Sequence, residues 1–199
     1  MTTRKPVLTV HRAANEIGGN CVEIAFDSHR LILDAGSRLD AGGASVDGAS
    51  LPPTLDIAAP VDGLVISHPH QDHFGLLHSL PPTWTVWSGE AAQILMRMTA
   101  ALKRERIEQE FRTYRAGAGF TTGPFTITPY LTDHSAFDAH MLLVECGGKR
   151  ILYSGDFRRT GRKARPPVAC AFSVGQQAPP RDRCGTPACD SRASPGVAA

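Results

Sequence analysis

The chain opens on alternation. Residues 7–11 carry Val7, Leu8 and Val10, and beyond a turn rich in glycine and asparagine (Asn15-Glu16-Ile17-Gly18-Gly19-Asn20), Val22, Ile24 and Phe26 alternate with smaller or polar neighbours. A period of two predicts strands, and Asp27-Ser28-His29 supplies the turn of a hairpin that returns along Arg30-Leu31-Ile32-Leu33-Asp34. That returning run is apolar without a break, the mark of a strand buried on both faces, and Gly63-Leu64-Val65-Ile66-Ser67 repeats it. Residues 83–87 and 125–131 predict further strands, and residues 141–146 and 150–154 a hairpin across Gly147-Gly148, because paired glycines accept the positive dihedrals of a two-residue turn.

A helical period appears in two places. Phe74, Leu76, Leu77 and Leu80 predict one face of a short helix stopped by Pro81-Pro82. Ala91, Ile94, Leu95, Met98, Ala101 and Leu102 recur at three and four, predicting a helix that packs this face into the core, with Ser88 as N-cap and Glu90 beside the positive end. Residues 103–115 hold five basic and three acidic side chains and read as a solvated helix face. Residues 36–60, rich in Gly, Ala, Ser and Pro, read as a long loop.

Composition changes this picture little. A length of 199 residues with 42% hydrophobic and 20% charged side chains suits one globular domain, and a formal charge of +2 does not demand nucleic acid. The N-terminus lacks the apolar core of a signal peptide and no stretch is long enough to span a membrane, so a cytoplasmic protein is expected. Five scattered cysteines form no even disulfide framework. Cys21 and Cys146 are expected to pack as small hydrophobes, and Cys184 and Cys189 to be exposed thiols.

The chemistry sits where the strands end. His68-Pro69-His70-Gln71-Asp72-His73 packs three imidazoles and a carboxylate into six residues directly after a buried strand. His68 and His70, two apart, can converge on one ion from an extended backbone, while Asp72 and His73 on the following turn can face a second. A second polar strand end, Thr132-Asp133-His134-Ser135, can deliver the third imidazole that His68 and His70 need, although alone His134 is equally an ordinary turn residue. Asp133 is placed to orient its ring. Asp34 also ends an apolar strand, where local chemistry alone lets it cap or turn the chain. His78 has no ligand register and reads as solvated or supporting, and for His140 a strand-edge role suffices.

The HxHxDH string resembles the metallo-β-lactamase fold. The sequences Glu16-Ile17-Gly18-Gly19-Asn20 and Leu33-Asp34-Ala35-Gly36 resemble the opening of its ribonuclease J group, and Asp133-His134-Ser135-Ala136-Phe137-Asp138 its next metal motif. The resemblance implies that His68, His70, Asp72, His73 and His134 ligate a binuclear, usually zinc, hydrolytic centre and that Asp34 orders the histidine loop. It also implies that Asp156, in Gly155-Asp156-Phe157, bridges the two metals. Asp72 is the candidate to orient the attacking water or carry its proton. The basic run including Arg158 and Arg159 offers candidate phosphate contacts.

Beyond residue 163 the amphipathic pattern stops. No leucine or isoleucine follows Leu152, so residues 1–163 are expected to form an incomplete metallo-β-lactamase-like domain and residues 164–199 a disordered, low-complexity tail. Relatives of the ribonuclease J kind continue into a β-CASP nucleic-acid-binding insertion and a last metal histidine, whereas none of the eight histidines here lies beyond His140. The fold expected is therefore an α/β, metallo-β-lactamase-type αββα sandwich, truncated at its C-terminus. The function expected is metal-dependent hydrolysis of RNA phosphodiesters, impaired by the lost ligand and domain. One zinc should be firmly bound and a second site weak or empty. Hydrolysis of a small ester, thioester or lactone and a non-catalytic metal-binding fragment are the two alternatives.

Overall fold

A computed structural model describes residues 4–39 and 50–158; the predicted tail, Arg159, the basic run after it, Cys184 and Cys189, and part of the predicted long loop lie outside the described residues. Six strands form one sheet in sequence order: β1 (Val7–Arg12), β2 (Cys21–Phe26), β3 (His29–Leu33), β4 (Gly63–Val65), β5 (Val86–Ser88) and β6 (Phe111–Thr113). The first three pair antiparallel, and β3 to β6 run parallel. A four-stranded antiparallel sheet, β7 (Phe120–Thr122), β8 (Phe125–Leu131), β9 (His140–Cys146) and β10 (Lys149–Tyr153), stacks on it in the order β10-β9-β8-β7. Gly147 and Gly148 both have positive φ in the β9–β10 turn, as the paired glycines predicted.

The unbroken apolar runs are explained by burial on both faces. Ile32, Leu64, Ile66 and Val86 point to a core shared with Phe74, Leu76, Leu77, Leu80, Ala92 and Met96. Their neighbours Leu31, Leu33 and Val65 point instead to the intersheet core, against Phe125, Ile127, Leu142 and Val144. Helices α1 (Gln71–Phe74) and α2 (Glu90–Lys103) thus cover the outer face of the larger sheet, in the layered α/β arrangement expected. Cys21 and Cys146 are buried, free thiols. No helix among the described residues is long and apolar enough to cross a membrane.

Four local expectations are corrected. The predicted helix after the histidine loop is one α turn, Gln71–Phe74, and a separate 3-10 turn, Leu77–Ser79, although Phe74, Leu76, Leu77 and Leu80 are all buried. Helix α2 is turned about its axis relative to expectation: Ala92, Met96 and Ala100 face the sheet, while Ile94 and Leu102 are 57% and 85% exposed. The sheet side takes the smaller residues, and the helix start is fixed from outside itself. Gly89, not Ser88, is its N-cap, and the Ala92 N–H is satisfied by Asp138 Oδ2 at 3.1 Å. Of residues 103–115 only Lys103 belongs to the helix; Arg104 turns left-handed (φ 58°) and the chain proceeds to β6, whose pairing with β5 outweighs local helix propensity.

Candidate metal centre

The histidine loop is held by backbone bonds to the segment that follows β3. Ala35 N–H donates to His73 C=O (2.7 Å), Ser37 N–H to Gln71 C=O (2.9 Å), and Asn20 N–H to Asp72 C=O (2.9 Å), while Gly36 N–H donates to Asn20 C=O (2.9 Å). Gly36 passes so close to the Asp72 carbonyl that a Cβ there would overlap it. These bonds hold Gln71–Phe74 against that segment and bring Asp72 and His73 beside His68 and the extended His70. His140 N–H donates to Ser67 C=O (3.0 Å), joining the start of β9 to the same loop. The His134 and Asp156 segments are joined to each other where Arg158 N–H donates to Asp133 C=O (2.7 Å).

Two clusters result, each with donor atoms within 4.8 Å of one another: His68, His70 and His134, and His68, His73 and Asp156. His134 Nε2 lies 3.2 Å from His70 Nδ1. Asp156 stands between the clusters, Oδ2 3.8 Å from His134 Nε2 and Oδ1 3.5 Å from His73 Nε2. Asp72 Oδ2 is 3.8 Å from His73 Nε2, flanking the second cluster. For Asp133 the described contact is the backbone carbonyl bond to Arg158, with no described side-chain contact to the His134 ring. His78 is engaged elsewhere, 3.5 Å from Glu105 Oε2. His140 is buried, with Nδ1–H donating to Asp138 C=O at 2.9 Å.

Asp34 is completely buried in a left-handed conformation (φ 58°). Its Oδ1 accepts from Ser67 N–H (2.7 Å), and its Oδ2 from Ser67 Oγ–H (2.7 Å), His73 Nδ1–H (2.6 Å) and Tyr153 O–H (2.7 Å). Burial would raise the Asp34 carboxyl, but the charge and hydrogen bond of His73 outweigh it and hold it below its ordinary value. Burial likewise pushes the His73 ring down, yet Asp34 and Asp156 carry it up to about 10. The His73 hydrogen bond is the main reason Asp156 is lowered to about 2. Burial, with the His73 charge beside it, pushes His68 down to about 3, and burial also lowers His70 and His134.

A cation fits this donor set. Among the described residues His68 Nε2 is buried with no hydrogen-bond partner, a costly state for a ring nitrogen unless something is to be coordinated there. It stands among the nitrogens of His70 and His134, and three imidazoles with a carboxylate are ordinary zinc ligands. Ser67, Tyr153 and Asn20, whose amide lies 2.9 Å from His73 Nε2, are the parts of the site that sequence reasoning did not select. The only available signal for Tyr153 was its position at a strand end three residues before Asp156.

Residues 14–187 match the family described as the Metallo-beta-lactamase superfamily. The chain is 28% identical over 150 residues to Ribonuclease J of Mycoplasma pneumoniae, an alignment covering 72% of this chain and 26% of that relative, so it spans about a quarter of the relative's length. Among solved structures, a protein of unknown function from Enterococcus faecalis V583 superposes with a TM-score of 0.69 at 18% identity, over 86% of this chain and 47% of the other. The metallo-beta-lactamase fold protein YhfI from Bacillus subtilis superposes with a TM-score of 0.55 at 20% identity, over 76% and 63%. These two likenesses concern the fold.

Proposed function

Because the chain belongs to the metallo-beta-lactamase superfamily, we propose that it is a zinc-dependent hydrolase acting on RNA phosphodiesters. The observation that carries this reading is the convergence of His68, His70 and His134, from two separate strand ends, around one ion-sized space. In this reading His68, His70 and His134 would hold one ion, Asp72 and His73 would help hold a second, and Asp156, which stands between the two clusters, could serve either. Metal held there would supply Lewis acidity and ease the deprotonation of water.

The chain's own residues do the remaining work. His68, with its ring lowered to about 3, offers a neutral nitrogen at any working pH without first losing a proton. Asp72, beside His73 and 13% exposed, is open enough to accept a proton from an attacking water and pass it to solvent. Arg158, two residues beyond Asp156 and tied by its backbone N–H to Asp133 C=O, is the candidate in this reading to meet a substrate phosphate. The relative named Ribonuclease J favours RNA over a small ester, thioester or lactone. Buried free thiols at Cys21 and Cys146 suit a reducing compartment, in keeping with a cytoplasmic protein.

A second reading, a metal-binding domain with little turnover, is favoured by the shared use of His68 by both clusters. Once His68 serves the three-histidine site, His73, Asp72 and Asp156 are left to hold a second ion, so one firm and one weak zinc are expected. The test is zinc analysis of the purified chain together with assays on single-stranded RNA and on a p-nitrophenyl ester, each repeated with His70→Ala and His134→Ala. RNA cleavage lost in both variants supports the nuclease. Zinc retention without cleavage of either substrate supports the second reading, and wild-type protein that retains no zinc defeats both.

A further inference from the structure

The Asp34 carboxylate meets both sheets at the metal end of the molecule. It receives Ser67 and His73 from the loop after β4 and Tyr153 from the end of β10. The direction of these hydrogen bonds has a consequence for the histidines. The Ser67 hydroxyl has one proton and gives it to Asp34 Oδ2, so at 3.0 Å from His68 Nδ1 its oxygen can only accept. His68 therefore carries its proton on Nδ1 and leaves bare the Nε2 that is buried among the other donors. His73 is oriented directly: Nδ1–H donates to Asp34, and Nε2 faces Asp156.

We propose that Ser67 and Tyr153 are positioning residues that act through the Asp34 carboxylate to decide which nitrogens of His68 and His73 are offered to metal. The Tyr153 hydroxyl shares Oδ2 with Ser67 and His73 and approaches from the opposite sheet, so it holds the carboxylate against rotation. Without it the carboxylate keeps the Ser67 N–H on Oδ1 but loses one of the three donors that fix Oδ2 between Ser67 and His73, so the two ring orientations are set together less firmly. This inference rests on the reading of His68 and His73 as ligands.

The test uses the full chain, labelled with nitrogen-15 at histidine, as wild type, Ser67→Ala and Tyr153→Phe. Long-range nitrogen–proton correlations on zinc-free protein report the His68 tautomer, competition with a chromophoric chelator reports zinc affinity, and circular dichroism reports folding. The expected result is an Nδ1-protonated His68 in wild type, a mixed or Nε2-protonated His68 in Ser67→Ala, and zinc binding weakened about 10- to 100-fold in both variants. Folded variants that keep the wild-type tautomer and bind zinc equally well overturn the proposal. A wild type that takes up no zinc defeats the ligand reading alone, since the His68 tautomer in zinc-free Ser67→Ala still decides the relay. A Tyr153→Phe chain that does not fold makes Tyr153 a structural residue and overturns its positioning role, with Ser67→Ala deciding the rest.

Discussion

His134 Nε2 lies 3.2 Å from His70 Nδ1, although 64 residues separate the two in sequence. Two nitrogens bound to one tetrahedral zinc at ordinary bond lengths would stand about 3.3 Å apart. The spacing is compatible with a shared ion, and the two strand ends that carry it are held by the sheet pairing of β4 with β5 and of β8 with β9.

Proton release should tell which cluster fills first. His68 is already neutral, its ring lowered to about 3, whereas His73 is raised to about 10 and enters neutral solution protonated. Zinc bound by His68, His70 and His134 should release almost no protons at pH 7, while zinc that recruits His73 should release about one. Calorimetric titration in two buffers of different ionisation enthalpy measures this. A first equivalent that already releases a full proton would place the tight zinc on His73.

Asp34→Ala should destabilise the metal-free protein severely. It removes a buried carboxylate and strands the Ser67, His73 and Tyr153 donors together. The expected loss is about 3–5 kcal/mol, as for breaking a buried charged pair from one side. Urea denaturation of the metal-free protein checks it, and a loss below about 1 kcal/mol, the net worth of one ordinary hydrogen bond, would mean the network relaxes around the gap.

Gly36→Ala acts on the same loop through the backbone. The added Cβ would collide with the Asp72 carbonyl, which cannot move without dragging His73. Reduced zinc retention and a lowered Tm should appear together, whereas Gly148→Ala, where a Cβ meets nothing within 4 Å, should lower Tm slightly through its left-handed φ of 69° and leave zinc retention intact. Equal zinc loss in the two variants would show that proximity to the loop is not the cause.

Cys21 should resist alkylation and make the protein sensitive to alkali. Burial, with the Asp34 charge adding to it, pushes this thiol up to about 12 from an ordinary value of 9.0. The folded state then holds the proton where the unfolded chain releases it, so stability is unaffected below pH 9 and falls as pH rises from there toward 12. A Cys21→Ser chain should show a shallower alkaline decline in urea midpoint. An identical decline would assign the effect to other groups.

Much of this molecule was legible without coordinates, for reasons that can be named residue by residue. Strand alternation at Val22, Ile24 and Phe26, the unbroken run Leu31-Ile32-Leu33 and the Gly147-Gly148 turn are local consequences of side-chain period and backbone freedom, and each appears where expected. The density of His68, His70, Asp72 and His73 at a strand end likewise marked the loop as a candidate metal centre, and the fold brings His68, His70 and His134 to within 4.8 Å of one another.

What sequence could not decide was everything set by a partner far along the chain. The apolar stripe of α2 pointed to a buried face, but the helix start is capped by Asp138, 46 residues away from Ala92, and the sheet takes Ala92, Met96 and Ala100 instead. Arg104 and its neighbours favour helix locally, yet β6 pairs with β5 because backbone groups beside a parallel sheet edge gain more from the ladder. Asp34 could have been only a turn residue. The family resemblance gave it the ordering of the histidine loop, but its bond to Tyr153, 119 residues on, was visible only in the fold, since hydrogen-bond geometry is a property of positions in space that no local period encodes.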